Sequence, residues 1–196
     1  MPLEEYHKAM RQGLKEEKEA IARGEEPGLR VLPENPDTLA VRRESLGVVE
    51  IPSELIDGTC NDLRKNAFSR GFYPVLQEES EFAHKWSNLC KAHLEEGIRD
   101  PVQLYEYMNR YYVAEGNKRV SVLKYFGTET IPAQVIRILP EHTGDPVTDD
   151  NRSINRHYPR TGLSDSHQIH HFLLADPFQL LYKFFLKHGN NHQYRE

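Results

Sequence analysis

The sequence has little cysteine and no long hydrophobic run. Its two cysteines, Cys60 and Cys90, lie far apart and lack metal-site spacing, which argues against a disulfide scaffold and favours a reducing compartment. No apolar run approaches the length of a membrane helix. The first residues, Met-Pro-Leu-Glu-Glu, lack the basic and apolar regions of a secretory signal. We therefore expect a soluble, cytoplasmic protein without membrane partners.

An excess of positive charge is also missing. The formal net charge is −5, whereas proteins that hold DNA by its phosphates usually carry a basic face or a high isoelectric point. A local basic patch remains compatible with this balance. With 38% hydrophobic residues among 196, the chain can form the core of one domain with extensions, or of two small domains.

Composition divides the chain into three segments: 1–45, 46–139 and 140–196. Residues 3–23 are charged and free of proline, and they predict an amphipathic helix that ends at Gly24. The apolar stripe of this helix consists of Leu3, Tyr6, Met10, Leu14 and Ile21. Proline and glycine then interrupt 24–45, which we interpret as an arm or linker.

The central and C-terminal segments predict an α+β arrangement followed by a helical extension. The predicted strands are 46–51, 102–108, 111–114 and 131–139, and the predicted helices run from the Ser80 cap to about 96 and over 118–126. The stripe of the first helix is Phe82, Trp86, Leu89 and Leu94. Residues 53–72 and 140–166 are loop-like, and 177–187 predicts an apolar helix.

A strand that turns into a helix at Glu115-Gly116-Asn117-Lys118-Arg119 is a candidate anion site. The first N–H groups of a helix lack intrahelical partners, and the helix dipole places partial positive charge there. Gly116 allows a phosphate to approach the backbone, while Lys118 and Arg119 add full charges. The same residues also fit an ordinary helix start, with Asn117 as its cap and two exposed cations.

Residues 46–139 resemble the N-terminal domain of the ParB family, which shares its fold with sulfiredoxins. The shared order includes Val-Glu-Ile-Pro, a polar loop with Arg64, the helix end at Glu95-Glu96-Gly97-Ile98, and Asp100-Pro101-Val102. A Tyr-rich hairpin, Glu115 to Arg119, and a strand opened by Ile131-Pro132 follow. The string from Glu115 to Lys124 resembles that of bacterial proteins with a ParB-like domain.

The resemblance implies an α+β fold with a small mixed sheet, flanking helices, and helical extensions at both termini. It also implies a nucleotide-phosphate site at Gly116, Asn117, Lys118 and Arg119, with Arg64 nearby. The implied ligand is ATP, ADP or CTP, with Mg²⁺ as a candidate companion ion. Lys118 stands where the family has arginine, which keeps the charge but loses the bidentate geometry.

The superfamily contains proteins with three different activities, and the sequence has the residues needed for some of these activities and not for others. A sulfiredoxin needs a cysteine directly after the motif glycine, and Asn117 stands there, so we expect no sulfiredoxin activity. A nucleotide-dependent kinase or hydrolase needs a carboxylate as general base, and the candidates are Glu115 and Asp62, followed by Asp57 and Glu50. For each of them, a solvated surface role is the alternative.

DNA segregation proteins of the family add a helix-turn-helix, and the last third of this chain has no basic recognition helix. We therefore expect no sequence-specific DNA binding by this chain alone.

Besides nucleotide binding and nucleotide-dependent catalysis, the N-terminal and C-terminal helices favour a third alternative, a non-enzymatic homodimeric assembly module. His167, His170 and His171 lack the spacing of a recognised metal site, and we predict no metal there.

Overall fold

The computed structural model describes residues 2–32 and 42–139, which form one mixed β-sheet with flanking helices. The helices are α1 (Pro2–Ala22), α2 (Asp62–Lys65), α3 (Glu81–Glu95) and α4 (Asn117–Tyr125), with a short 3-10 helix at Ser53–Leu55. The strands are β1 (Arg30–Val31), β2 (Arg42–Pro52), β3 (Ile56–Thr59), β4 (Val102–Tyr107), β5 (Arg110–Glu115) and β6 (Thr130–Leu139). The predicted α+β class is confirmed. The predicted C-terminal extension, 140–196, lies outside the described residues.

The six strands follow the order β1-β3-β5-β4-β6-β2. β5 lies inside the sheet, parallel to β3 and antiparallel to β4. The β4–β5 hairpin turns at Met108 and Asn109, whose φ angles of 52° and 60° suit the mirror-image turns that fit the twist of antiparallel strands. Because β5 is held on both sides, its last residue, Glu115, enters the following turn from a fixed position.

Trp86 joins three helices under the sheet. Its ring is fully buried and makes edge contacts with Tyr6 of α1 at 5.5 Å and with Tyr125 of α4 at 5.7 Å. Its indole N–H donates to the Ser121 hydroxyl of α4 at 2.8 Å. The prediction that Trp86 belongs to the core is confirmed, and this contact fixes α4 relative to α3.

The predicted apolar stripe of α1 is confirmed in part, since Tyr6 is buried and Met10 packs against the core. Leu3, Leu14 and Ile21 of the predicted stripe are exposed. The buried positions are Tyr6, Ala9, Gly13 and Ala20. At Gly13 a Cβ atom would lie 2.5 Å from the Pro74 carbonyl oxygen. Besides Tyr6, the helix therefore buries small residues, because the chain beneath it at Gly13 comes too close for a larger side chain.

Three further predictions differ from the structure. The first long strand begins at Arg42, four residues before the predicted start, because it pairs with β6 out to Leu139. The region 53–72, predicted as loop, contains the 3-10 helix, β3 and α2. Leu94, predicted to be buried, is exposed. By contrast, the Ser80 cap is confirmed, since its hydroxyl accepts the Ala83 N–H at 3.1 Å.

Candidate anion-binding site

The turn between β5 and α4 depends on Gly116. Its φ of 102° and ψ of 20° lie in the left-handed region, which side chains other than glycine rarely adopt. A Cβ atom here would lie 2.8 Å from Cγ1 of the buried Val102. Gly116 also begins α4, because its carbonyl accepts the Val120 N–H at 2.9 Å. The N–H groups of the first turn of α4 are thereby left without intrahelical partners.

Asn117 does not cap α4, contrary to the prediction. It is the first helical residue, Gly116 takes the N-cap position, and no side-chain hydrogen bond caps the helix. The reason is that glycine already makes the turn, which carries Asn117 past the capping position. Its Oδ1 is buried without a hydrogen-bond partner among the described residues. An unpaired buried acceptor costs about 1–3 kcal/mol, so a ligand that donates to it would be stabilised.

A cleft of about 500 Å³ opens beside this turn. Four cations line it: Arg64 of α2, Lys85 of α3, and Lys118 and Arg119 of α4. Three amide side chains line it as well: Asn61, Asn88 and Asn117. Phe68, Phe82 and Leu89 supply apolar wall. Among the described residues around the cleft, Glu115 is the one carboxylate.

Lys118 experiences the positive charge of this cleft directly. Burial lowers the pKa of its ammonium group, and the charges of Arg64 and Lys85 lower it further. Its Nζ lies 5.0 Å from the centre of the Phe82 ring, a cation–π contact that holds the side chain against α3. The three cations are therefore close enough to repel one another, and a bound anion would relieve that repulsion.

Arg119 is held by the protein itself. Its Nη1 donates to the carbonyl oxygens of Asp100 at 3.2 Å and Pro101 at 2.9 Å, and its Nη2 pairs with the Glu115 carboxylate. Its side chain is 19% exposed and that of Glu115 is 60% exposed. These bonds tie the start of β4 to α4, so Arg119 stabilises the Gly116 turn as well as lining the cleft.

Arg64 reaches the cleft from a loop that β5 anchors. The Cys60 N–H donates to the Val113 carbonyl at 2.9 Å, and the Thr59 hydroxyl donates to the same carbonyl at 3.2 Å. Asn61 then caps α2 by accepting the Leu63 N–H at 3.0 Å. The structure thus brings the predicted Arg64 together with Gly116 to Arg119, although about fifty residues separate them in the sequence.

Asp62 is not part of this group. It lines a separate cleft of about 310 Å³ whose walls include Arg30, Lys65 and Arg70. One turn of helix is enough to separate it from Arg64, because side chains two residues apart point to different sides of a helix. Of the two predicted catalytic carboxylates, Glu115 lies at the anion cleft and Asp62 does not.

Sequence reasoning missed Lys85 and Asn88. Both lie on α3 beside the buried face that Phe82 and Trp86 form. Phe82, Lys85 and Leu89 recur at spacings of three and four residues, which places them along one helix face. That spacing was a usable signal, but nothing in the sequence indicates that this face of α3 lies across from Gly116.

Cys60 and Cys90 lie away from the chemistry of the cleft. Cys60 is half-buried and its thiol donates to the Tyr112 carbonyl at 3.6 Å. Cys90 is buried in the core, and burial raises the pKa of its thiol. Neither side chain lines the anion cleft, so no thiol stands next to Gly116.

Within 2–32 and 42–139, no group of three or more His, Cys, Asp or Glu side chains is arranged to hold a metal ion. The histidines at 167, 170 and 171 lie outside these ranges. In the same ranges, no helix has the length and apolarity that crossing a membrane requires.

No family model matches the sequence, and no curated protein matches it. Among solved structures, the chain is similar to sulfiredoxin from Arabidopsis thaliana, with a TM-score of 0.33 and 22% identity, over 45% of this chain and 82% of that one. It is also similar to the C-terminally truncated chromosome-partitioning protein ParB from Caulobacter crescentus in complex with CTP-gamma-S, with a TM-score of 0.33 and 16% identity. That match covers 74% of this chain and 66% of the ParB chain. Both scores are low, so the α+β class rests on the sheet and helices themselves.

Proposed function

We propose that this protein binds a nucleotide, holding its phosphates in the cleft beside Gly116. The observation that carries the proposal is the convergence of four cations from three helices on one cleft at the start of α4. Like charges in one cleft repel one another, and the net charge of this chain is −5, so an overall excess of cations does not account for the cluster. A bound anion would neutralise the four cations there.

The protein preorganises this site before a ligand arrives. The Gly116 turn begins α4 without a side-chain cap for the first N–H groups, and the bonds from Arg119 to Asp100 and Pro101 hold that turn in place. Preorganised donors lose little entropy on binding, which favours affinity. A phosphate would then accept backbone N–H groups, while Lys118 and Arg64 supply charge.

The cleft also suits the remainder of a nucleotide. Its volume of about 500 Å³ lies within the range of about 300–1,000 Å³ that is usual for small-molecule sites. The apolar surface of Leu89 and Phe82 can contact a base or ribose, and the free Oδ1 of Asn117 requires a donor such as a hydroxyl or amino group. ATP, ADP and CTP are the candidates that the sequence resemblance names.

Titration calorimetry with a panel of nucleotides, with and without Mg²⁺, tests this proposal. Replacing Lys118 or Arg119 by alanine should weaken binding about tenfold or more, because each removes a charge-assisted contact or its support. Lys91→Ala is the matched control, since Lys91 lies on the exposed part of α3 outside the cleft. Absence of binding by the wild type, or equal affinity in the wild type and both cleft variants, would refute the proposal.

A second candidate function is phosphoryl transfer or nucleotide hydrolysis. It is favoured by the position of Glu115, whose carboxylate lines the cleft beside the expected phosphates. Glu115 would act as general base on a hydroxyl or a water. Glu115→Gln should then abolish turnover while retaining most of the nucleotide binding. Turnover at the wild-type rate in this variant would exclude Glu115 as the base.

We propose no sequence-specific reading of DNA by the chain alone. Electrophoretic mobility shifts on a random duplex pool are expected to show binding that salt weakens and that selects no sequence. A salt-resistant, sequence-selective shift would overturn this expectation. The homodimer alternative rests on the N-terminal helix, which packs on the domain through Tyr6, and on residues 170–196, which lie outside the described residues. Light scattering of the full chain and of a chain lacking 170–196 tests it.

A further inference from the structure

The cations of the cleft come from α2, α3 and α4, and Arg64 of α2 lies near Lys118 of the Gly116 turn, whereas α3 forms a separate basic wall. The first wall is the start of α4, with Lys118 and Arg119. The second is α3, whose Lys85 lines the same cleft and lowers the pKa of Lys118 by its charge. A single phosphate seated on the first N–H groups of α4 would leave Lys85 in its exposed pair with Glu81.

We propose that Lys85 contacts an outer phosphoryl group and thereby selects ligands with two or more linked phosphoryl groups over monophosphates. This inference rests on the proposed nucleotide binding. Lys85 would be the residue that distinguishes a monophosphate from a diphosphate or triphosphate. It lies on α3, outside the motif from Glu115 to Arg119.

The restraints on the two cations of α4, Arg119 and Lys118, favour this role for Lys85. Arg119 is occupied by two carbonyls and by Glu115, and Lys118 is held against Phe82. Lys85 is 59% exposed and pairs with Glu81 at 2.5 Å one turn earlier on the same helix. Exposed pairs of this kind are weak, so the flexible Lys85 side chain can leave Glu81 for a phosphate.

Base-free anions test the inference independently of the nucleotide. Calorimetry would compare orthophosphate with pyrophosphate, and a nucleoside monophosphate with its diphosphate, in the absence of Mg²⁺. We expect the wild type to prefer the diphosphate member by about tenfold, since an added charge-assisted contact has about that effect. Lys85→Ala should reduce this preference to about twofold or less, while Lys91→Ala should retain it.

Glu81→Gln provides a second measurement with the opposite sign. Removing the competing carboxylate should tighten pyrophosphate binding in the wild-type background and have less effect in Lys85→Ala, because the effect passes largely through Lys85. Circular dichroism would confirm that each exposed-residue variant is folded.

The failures of the two proposals can be told apart. If orthophosphate and nucleotides bind but the preference for the diphosphate is near one, or is unchanged in Lys85→Ala, the role of Lys85 is refuted and nucleotide binding stands. An equal loss of preference in Lys91→Ala would also refute a specific contact. If no nucleotide and no anion binds, both proposals fail.

Discussion

Gly116→Ala is the substitution for which the structure gives the most definite expectation. Gly116 has a φ of 102°, and an added Cβ would lie 2.8 Å from Cγ1 and 3.1 Å from Cβ of Val102. Val102 is fully buried in the core and pairs with Ala133 of β6. It therefore cannot move away without disturbing the sheet.

Two terms set the expected loss of stability. A left-handed conformation costs an alanine about 1–2 kcal/mol, of which the reduced freedom of the unfolded chain offsets about 0.4–1 kcal/mol. Overlap with a packed core adds about 1–3 kcal/mol. We expect Gly116→Ala to lower the free energy of unfolding by about 3 kcal/mol, which corresponds to a fall in Tm of about 9 °C for a chain of this size.

Gly127→Ala is the matched control. Gly127 follows the other end of α4 with a φ of 70°, and a Cβ there would meet no atom within 4 Å. It carries the conformational term without the overlap, so the expected loss is about 1 kcal/mol. Urea unfolding of both variants separates the two terms. Equal losses in the two variants would show that the contact with Val102 does not matter.

Binding supplies a second readout for the same pair of variants. A Cβ at Gly116 would also lie 3.2 Å from Nε of Arg119, which displaces the guanidinium from its carbonyl partners. Gly116→Ala is expected to weaken nucleotide binding at least about tenfold under conditions in which it is folded. Gly127→Ala should leave binding unchanged, and equal binding by Gly116→Ala would refute the proposed approach of the phosphate to this turn.

Three further predictions concern the rest of the domain. Burial lowers the pKa of Lys124 to about 8. Between about pH 8 and 10 the folded state therefore loses a proton that the unfolded state keeps, and the free energy of unfolding of the wild type should rise by about 1–3 kcal/mol. Urea titrations should show no such rise in Lys124→Met. Glu106 is 2% exposed, pairs with Arg137, and has a pKa raised by burial. Arg137→Met should cost about 3–5 kcal/mol at pH 7 and less at a lower pH, at which Glu106 takes up a proton. An equal cost at both pH values would contradict this. Tyr6→Phe removes a hydrogen bond to the Leu76 carbonyl at 2.5 Å and should lower stability by about 1 kcal/mol, measured by thermal unfolding; an unchanged Tm would contradict this.

Local patterns in the sequence were sufficient to predict structural features that one short segment determines. The Ser80 cap, the hairpin around Met108 and Asn109, and the Gly116 turn all depend on a few neighbouring residues. Each was predicted at or near its place in the structure. The exception is Asn117, where glycine and asparagine compete for the same capping position, and the backbone freedom of glycine decides the outcome.

Tertiary structure decided the features that depend on distant residues. The sequence could place Gly116, Lys118 and Arg119 at a helix start, but it could not show that Asp100 and Pro101 hold Arg119. In α1, hydrophobic periodicity correctly selected Tyr6, but it also selected Leu14, which is exposed, and missed the close approach at Gly13. Periodicity records which side chains are apolar, and it contains no information on how near the underlying chain lies.

The same reason separates the two halves of the candidate site. The sequence by itself determined the half formed at the start of α4, because a glycine turn and the cations that follow it are contiguous in the chain. The position of the half supplied by α3 depends on tertiary structure, because contacts of Trp86 with Tyr6, Tyr125 and Ser121 hold α3 against α1 and α4. Packing of the core therefore brought Lys85 to the cleft.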